Sequence, residues 1–147
     1  MKVRMYSEAD LRKCMELFVK VFNGEPWHDQ WSVEDAERYL NDYANTPGFQ
    51  GVVAENESGI IGFVFGVRKK WWSGDEFLIQ EMCVDNEMQK SGIGTEILSH
   101  LERILRKEEV SRMTLLTNKG IPAEKFYKKM GFVEIDRLIF MNKDITS

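Results

Sequence analysis

Residues Glu76 to Gly94 read Glu-Phe-Leu-Ile-Gln-Glu-Met-Cys-Val-Asp-Asn-Glu-Met-Gln-Lys-Ser-Gly-Ile-Gly, and a helical pattern continues from there to Arg106. The apolar run from Phe77 to Val84 predicts a strand buried in the middle of a sheet. A polar turn with two glycines follows, and from Gly94 onward the apolar residues recur at helical spacing. The sequence therefore predicts a strand, a glycine turn and a helix in succession.

The glycine turn has a chemical meaning, because the first amides of a helix have no partner within it and carry the positive end of its dipole. Gly92 and Gly94 let the backbone approach a bulky anion without an intervening side chain. The turn therefore predicts a phosphate or pyrophosphate site. Two other phosphate motifs do not fit, since Ile97 stands where a dinucleotide fingerprint needs a small residue and Thr95 where a Walker loop needs lysine.

The spacing Gln-x-x-Gly-x-Gly, which begins five residues after Val84, resembles the acyl-coenzyme-A signature of the GNAT acetyltransferases. A second segment, Ala123 to Phe132, resembles the Ala-x-x-x-Tyr-x-x-x-Gly-Phe helix of the same family. The two blocks occur in the family's order, joined by an expected strand at Met113 to Thr117, and the resemblance covers most of residues 50–143. It implies an α/β fold with a mixed central sheet, a parallel strand pair splayed at the acyl-CoA site, and helices on both faces.

The resemblance implies acetyl-coenzyme A (acetyl-CoA) as co-substrate. The central strand would pair with its pantetheine arm, and the glycine turn would bind its pyrophosphate. The family often has an asparagine three residues before Ala123, where this chain has Gly120, and Asn118 stands two residues earlier. The candidate cofactor-binding residues are Met82, Cys83, Val84, Gln89, Lys90, Ser91, Gly92, Ile93, Gly94, Thr95, Asn118, Ala123 and Phe126.

Tyr127 and Glu81 are the candidate catalytic residues. In the family, a tyrosine at the position of Tyr127 can donate a proton to the departing thiolate or hold it by a hydrogen bond. Glu81 interrupts the apolar central strand, where a carboxylate is costly unless it has a partner or a task. It could accept the proton that an ammonium acceptor must lose before attack. The alternative interpretations are a tyrosine that only packs and a salt-bridged strand acid.

Four tryptophans stand in predicted loops that border the acceptor side in the family: Trp27, Trp31, Trp71 and Trp72. Aromatic faces can hold a cation or stack on an apolar acceptor, although a loop tryptophan can also simply pack. The segment from Glu25 to Asp42 carries six acidic residues against the single Arg38. This imbalance could attract a cationic acceptor, and a solvated helix face is the alternative explanation.

Composition limits the remaining possibilities. A chain of 147 residues with 43% apolar residues can bury one core, which predicts a single domain over residues 1–147. The N-terminus lacks the apolar core of a signal peptide, and no apolar run is long enough to span a membrane, so a soluble cytoplasmic protein is expected. Two cysteines and two separated histidines offer no metal-ligand spacing. The net charge of −4 argues against a nucleic-acid partner.

The resemblance implies an N-acetyltransferase that moves the acetyl group directly to a primary amine, without an acyl-enzyme. A small cationic acceptor is expected, aminoglycoside- or polyamine-like, because Pro26, Trp27 and Trp31 resemble loops of aminoglycoside 6'-acetyltransferase-like members. Two alternatives stay open: a protein or peptide N-acetyltransferase, and a catalytically silent coenzyme-A-binding module. Dimers are common in the family, so a homodimer is also open.

The rest of the chain predicts further elements around this unit. Lys2 to Tyr6 suits an edge strand, and Ser7 and Ser32 each begin a predicted helix. Two strands joined at residues 56–59 form a predicted hairpin before the central strand. A second hairpin is predicted at the C-terminus, with strands at Val133 to Ile135 and Leu138 to Asn142.

Overall fold

A computed structural model of the chain describes residues 1–88 and 90–146. By their internal contacts the residues form two units, Met1–Leu116 and Thr117–Ser147. Among the described residues, the second unit holds one helix and the first holds the strands. In chain order the elements are β1 Lys2–Met5, α1 Leu11–Phe22, α2 Val33–Ala44, β2 Phe49–Asn56, β3 Gly59–Lys69, β4 Glu76–Val84, α3 Ile93–Lys107, β5 Arg112–Thr114 and α4 Pro122–Lys129.

The strands form one mixed sheet in the order β1-β2-β3-β4-β5. The first three pairs are antiparallel, and β4 and β5 are parallel. Helices cover both faces: Phe63 of β3 is buried in one cluster with Phe18 of α1 and Leu40 of α2. The adjacent Gly62 faces the other way, where a Cβ atom would lie 2.8 Å from Ile97 Cδ1 of α3. The predicted α/β architecture with a parallel strand pair is confirmed.

The helices begin close to the predicted positions, with one difference. Ser32 caps α2, because its Oγ accepts the amide of Asp35 at 3.0 Å. The helix predicted to start at Ser7 begins instead with a 3₁₀ turn, Glu8–Asp10, before α1. The Asp10 carboxylate accepts both the Ser7 amide and the Arg4 guanidinium, each at 2.8 Å, which binds this first turn to β1. Among the helices of the described residues, none is long and apolar enough to cross a bilayer.

The predicted C-terminal hairpin is wrong as far as its strands are concerned. A turn forms where it was expected, since the Leu138 amide donates to the Ile135 carbonyl at 3.2 Å. However, none of the described residues from 133 to 146 lies in a strand, and Phe140 is 77% exposed. A two-stranded hairpin is only marginally stable without a third strand or a helix to bury its apolar face. An apolar run such as Leu138 to Met141 predicts a strand but does not supply its partner.

Candidate active site

Asp85 holds the turn between β4 and α3 to α1 and β3. Its carboxylate accepts the Lys20 ammonium of α1 at 3.1 Å and the Glu87 amide at 3.0 Å. Its carbonyl accepts the Met88 amide at 2.9 Å, and its own amide donates to the Ile61 carbonyl at 2.8 Å. These bonds fix the start of the glycine turn directly after the central strand.

The N-terminal end of α3 has the properties of an anion site. Gly92, the N-cap, has the left-handed φ of 83°, and a Cβ atom placed there would have no neighbour within 4 Å. The helix begins with the Glu96 amide donating to the Gly92 carbonyl, and no side chain of the described residues caps this end. Among the described residues, the amides of the first turn therefore have no side-chain acceptor. Such a helix end attracts an anion through its dipole and its unpartnered amides.

The other residues of the predicted phosphate turn divide into two groups. Lys90 and Ser91 are exposed, and Lys90 has a positive φ of 72°. Ile93 is 3% exposed and packs towards Gly62, so only its backbone could serve a ligand. Gly94 and Thr95 lie in the first turn of α3. Gln89, the first residue of the signature, lies outside the described residues.

The parallel strand pair is short. Among the described residues β4 and β5 pair only from Glu76 opposite Arg112 to Leu78 opposite Thr114. The predicted pantetheine-binding stretch, Met82 to Val84, lies beyond the paired stretch, while on its other side it pairs with β3. The side chain of Cys83 is 2% exposed and belongs to the core, so its proposed role can only be a backbone one. An extended ligand could add to β4 in this region as a further strand.

The second motif lies in the unit Thr117–Ser147 and is described within it. Tyr127 and Phe126 are neighbours on α4, with ring centroids 5.4 Å apart, and Tyr127 also contacts Phe132 at 5.5 Å. Glu124 binds the start of this helix, because its carboxylate accepts the Gly120 amide at 2.7 Å. The remaining candidates of this unit are Ala123, which is half-buried, and Asn118, which is exposed.

Glu81 lies next to an irregularity in β4. Phe65 of β3 pairs with Glu81 and the following Gly66 pairs with Ile79, so Gln80 is an extra residue, a β-bulge. The Glu81 side chain points to the face covered by α1 and α2, where its Oε2 accepts the hydroxyl of Tyr39 at 2.6 Å. Burial raises the pKa of Glu81 to about 7, against the hydrogen bond from Tyr39, which lowers it. Among the described residues Glu81 has no salt-bridge partner. With a pKa of about 7, it is only partly ionised at neutral pH.

The raised pKa of Glu81 makes a prediction about stability. In the unfolded chain a glutamate ionises near its usual value of 4.5, whereas folded Glu81 ionises near 7. Its contribution to stability is therefore fully present below pH 4.5 and is lost as the pH rises through 7. Between pH 4.5 and 8, wild type should lose about 3 kcal/mol of unfolding free energy relative to Glu81→Gln. Urea unfolding of both proteins at the two pH values measures this difference, and a constant difference would contradict it.

Trp31 belongs to an aromatic cluster beside Glu81. Its ring centroid lies 5.0 Å from that of Tyr39 and 5.1 Å from that of Phe18. Its backbone is held by Asn23, whose side chain accepts the Trp31 amide at 2.9 Å and donates to the Trp31 carbonyl at 3.0 Å. The indole donates to the Asp29 carboxylate at 3.1 Å. An open depression of about 370 Å³ is lined by Asp29, Gln30 and Trp31.

The four predicted acceptor tryptophans do not lie together. Trp27 contacts Phe22 of α1, with centroids 5.3 Å apart, and is thus part of the α1–α2 segment that holds Trp31. Trp71 and Trp72 lie in the turn that leads into the start of β4, at the end of that strand opposite the glycine turn. Trp72 is 88% exposed. The contact of Trp71 and Trp72 with an acceptor stays a prediction.

Three residues with a part in this geometry were not predicted as site residues: Tyr39, Asn23 and Asp85. Asp85 had a local signal, because an aspartate directly after a strand often bonds the backbone two residues on. Tyr39 had no such signal, because nothing in the sequence pairs it with a residue 42 positions later. Asn23 had none either, since its two bonds to the Trp31 backbone depend on how the loop folds back.

Comparison with known proteins gives the same assignment as the motifs. A family model described as an acetyltransferase (GNAT) domain matches residues 47–134, which is more than half of the chain.

Similar solved structures include a probable acetyltransferase (18% identity, TM-score 0.81, covering 100% of this chain and 99% of that one). A possible acetyltransferase from Clostridium difficile 630 is also similar (17% identity, TM-score 0.82, 99% and 98% covered). A third is an aminoglycoside acetyltransferase from an uncultured soil metagenomic sample, in complex with sisomicin (18% identity, TM-score 0.76, 99% and 96% covered). At these identities the structural matches show a shared fold.

Proposed function

Because the chain belongs to the GNAT acetyltransferase family, we propose that it transfers the acetyl group of acetyl-CoA directly to the primary amine of a small cationic acceptor. The family makes the protein an acetyltransferase and implies acetyl-CoA as its co-substrate. The acceptor and the roles of individual residues are the proposed part. The observation that carries them is Glu81, a part-buried carboxylate beside an aromatic cluster and hydrogen-bonded to Tyr39.

Acetyl-CoA supplies an acetyl group that is activated as a thioester. The residues of this chain would hold its diphosphate at the N-terminal end of α3, through the amides of Gly92, Ile93, Gly94 and Thr95, with Lys90 and Ser91 beside them. Support comes from the left-handed backbone and open space at Gly92. The backbone from Met82 to Val84 would pair with the pantetheine arm. The proposed set also includes Gln89, Asn118, Ala123 and Phe126.

Glu81 would take the proton that the acceptor ammonium must lose before its nitrogen can attack. A base is most effective when its pKa lies near the working pH, and burial raises the pKa of Glu81 to about 7. At neutral pH about half of the molecules then carry the charged, proton-accepting form. Once the proton has moved, the neutral acid is the form that burial favours.

Tyr127 would stabilise the departing thiolate by donating its hydroxyl proton or a hydrogen bond. Support for this role is the motif from Ala123 to Phe132, in which the tyrosine stands at the family's position. The contacts of its ring with Phe126 and Phe132 orient the side chain within α4 and the segment that follows.

A cationic acceptor agrees with the charge and shape of the α1–α2 region. The acidic residues between Glu25 and Asp42 are exposed, and they give this region a negative potential that attracts cations. Trp31 and Asp29 line an open depression there, in which an aromatic face and a carboxylate can both contact an ammonium group. The similar aminoglycoside acetyltransferase was solved in complex with sisomicin. Aminoglycosides and polyamines are therefore the first acceptors to test.

The test is a panel of amines offered with acetyl-CoA and read by thiol release. Wild type should acetylate at least one aminoglycoside or polyamine. Tyr127→Phe should lower kcat for that acceptor about tenfold, the worth of one hydrogen bond to a charged group, while the Kd for acetyl-CoA stays within about twofold.

Tyr6→Phe is the matched control, since Tyr6 packs against Phe49 and Phe65 in the core and should keep wild-type turnover. If only peptides are acetylated, the acceptor is a protein or peptide and the proposed small-molecule acceptor is wrong. Binding of acetyl-CoA without acetylation of any amine or peptide would contradict the proposal and support a silent coenzyme-A-binding module.

A further inference from the structure

The bond between Tyr39 and Glu81 joins two elements that are distant in sequence. The hydroxyl of Tyr39, on α2, donates to Glu81 Oε2 at 2.6 Å, a length typical of a strong hydrogen bond to a carboxylate. We propose that Tyr39 is a positioning residue for the acetyl-transfer reaction, holding one oxygen of Glu81 so that the other is presented to the acceptor amine. This inference rests on the proposed function, because it assigns Tyr39 a part in the step that Glu81 would assist.

The two oxygens of Glu81 have different surroundings. Oε2 accepts the Tyr39 hydroxyl, and among the hydrogen bonds of the described residues none reaches Oε1. The β-bulge at Gln80 turns the Glu81 side chain to the α1–α2 face, which is also the face of Trp31 and Asp29. A carboxylate held by one oxygen keeps its second oxygen free for a proton transfer.

Tyr39 is itself held on several sides, as a positioning residue must be. Its ring contacts Trp31 at 5.0 Å, Tyr43 at 5.1 Å and Phe18 at 5.7 Å between centroids. Its neighbours Ala36 and Leu40 on the buried side of α2 are fully inaccessible to solvent. Packing of this kind restricts the two side-chain torsions of a tyrosine. The hydroxyl therefore has a fixed direction relative to β4.

The protonation states agree with a permanent donor and a titrating acceptor. Burial, and next the negative charge of Glu81, raise the pKa of Tyr39 well above its usual value, so Tyr39 keeps its proton over the whole working range. Its hydrogen bond favours the charged form of Glu81 and opposes the effect of burial. Removing the hydroxyl should therefore make Glu81 a weaker acid and leave less of the base at neutral pH.

Other titratable groups face Glu81 from the elements packed around it. Asp29, from the segment before α2, raises the pKa of Glu81 by its negative charge. Cys83, on the same strand, has its own pKa raised by burial and then by the charge of Glu81, and Cys14 of α1 adds to this. Both thiols are neutral at pH 7. The residue opposite Glu81 on β3 is the apolar Phe65, whose side chain donates no hydrogen bond to it. Removing the Tyr39 hydroxyl therefore changes the pKa of Glu81.

The experiment is Tyr39→Phe, with kcat and kcat/KM measured from pH 5.5 to 9.5. The acidic limb of the profile should move up by about one pH unit, which lowers kcat about fivefold at pH 7 and by less than about twofold at pH 9.5. In a Glu81→Gln background the same substitution should have no further effect on kcat. Tyr6→Phe is again the control and should leave the profile unchanged.

A second readout needs no acceptor, so it separates this inference from the proposed function. Carbon-13 NMR of the glutamate carboxyl carbons, with Glu81 assigned by its absence in Glu81→Gln, should show the Glu81 midpoint moving up in Tyr39→Phe. Incorporation of 3-fluorotyrosine at position 39, a stronger hydrogen-bond donor, should move the Glu81 midpoint down. This variant replaces Tyr39→Phe in the experiment if Tyr39→Phe does not fold. An unchanged midpoint in either protein, or a uniform loss of rate at all pH values, overturns the inference.

Discussion

Replacing Glu81 by glutamine should lower kcat for acetyl transfer at pH 7 by about 100-fold, the ordinary contribution of a positioned general base. Glutamine keeps the size of the side chain and can still accept the Tyr39 hydroxyl, which in wild type lies 2.6 Å from Glu81 Oε2. It cannot accept a proton from the acceptor ammonium. The acidic limb of the pH profile, which in wild type should be centred near the Glu81 pKa of about 7, should disappear as well.

The binding of acetyl-CoA distinguishes this effect from general damage. Glu81 faces α1 and α2, whereas the proposed diphosphate site lies at the N-terminal end of α3. The Kd for acetyl-CoA, measured by calorimetry, should therefore stay within about twofold of wild type. Glu102→Gln is the matched control, because Glu102 is an exposed acid on α3 paired with Arg106. A kcat for Glu81→Gln within about threefold of wild type would mean that solvent, and not Glu81, takes the proton.

The central unit could be predicted because its signals are local. The apolar run from Phe77 to Val84 predicts a strand, and β4 covers Glu76–Val84. The helix predicted from Gly94 onward is α3, which begins at Ile93. A strand, a turn with two glycines and an amphipathic helix each depend on neighbouring residues, so one sequence window contains nearly all the information.

The surroundings of Glu81 could not be predicted, because they depend on contacts between distant segments. The sequence showed that a carboxylate in an apolar strand needs a partner or a task, but it offered a salt bridge as readily as a catalytic role. The fold brings Tyr39 to it from α2, and the bulge at Gln80 sets the face to which Glu81 points. Bulges and long-range partners leave no periodic signal in a sequence.

The C-terminal hairpin shows the same limit, because its local turn was predicted correctly and its strand pairing was not. The turn at residues 135–138 forms because it needs only local hydrogen bonds, whereas a strand needs a partner at a defined register. Leu138, Ile139 and Phe140 alternate too little to select one face, and each is more than half exposed. Local composition predicted the reversal of the chain and could not predict its pairing.

Replacing Gly92 by aspartate should weaken the binding of acetyl-CoA about 100-fold, because one or two amide-to-phosphate hydrogen bonds, worth about 3 kcal/mol together, are lost. The aspartate places a negative charge beside the amides that would hold the diphosphate, and its side chain enters space that has no neighbour within 4 Å of a Cβ atom. Its own attraction to the positive end of α3 makes it a competitor for the ligand. Calorimetry with coenzyme A alone measures the effect.

The thermal stability of Gly92→Asp shows whether its weaker binding of acetyl-CoA is a specific effect. Gly92 has a φ of 83°, and aspartate adopts the left-handed region more readily than most residues, while a negative charge at the start of a helix is favourable. The Tm of Gly92→Asp should therefore stay close to that of wild type. Gly59→Asp is the matched control, since Gly59 also has a positive φ, of 118°, but is the first residue of β3, opposite Asn56 at the end of β2, and it should bind coenzyme A normally. If Gly92→Asp binds as tightly as this control, the diphosphate is held elsewhere, because a carboxylate at the N-cap cannot share first-turn amides with a second anion at no cost.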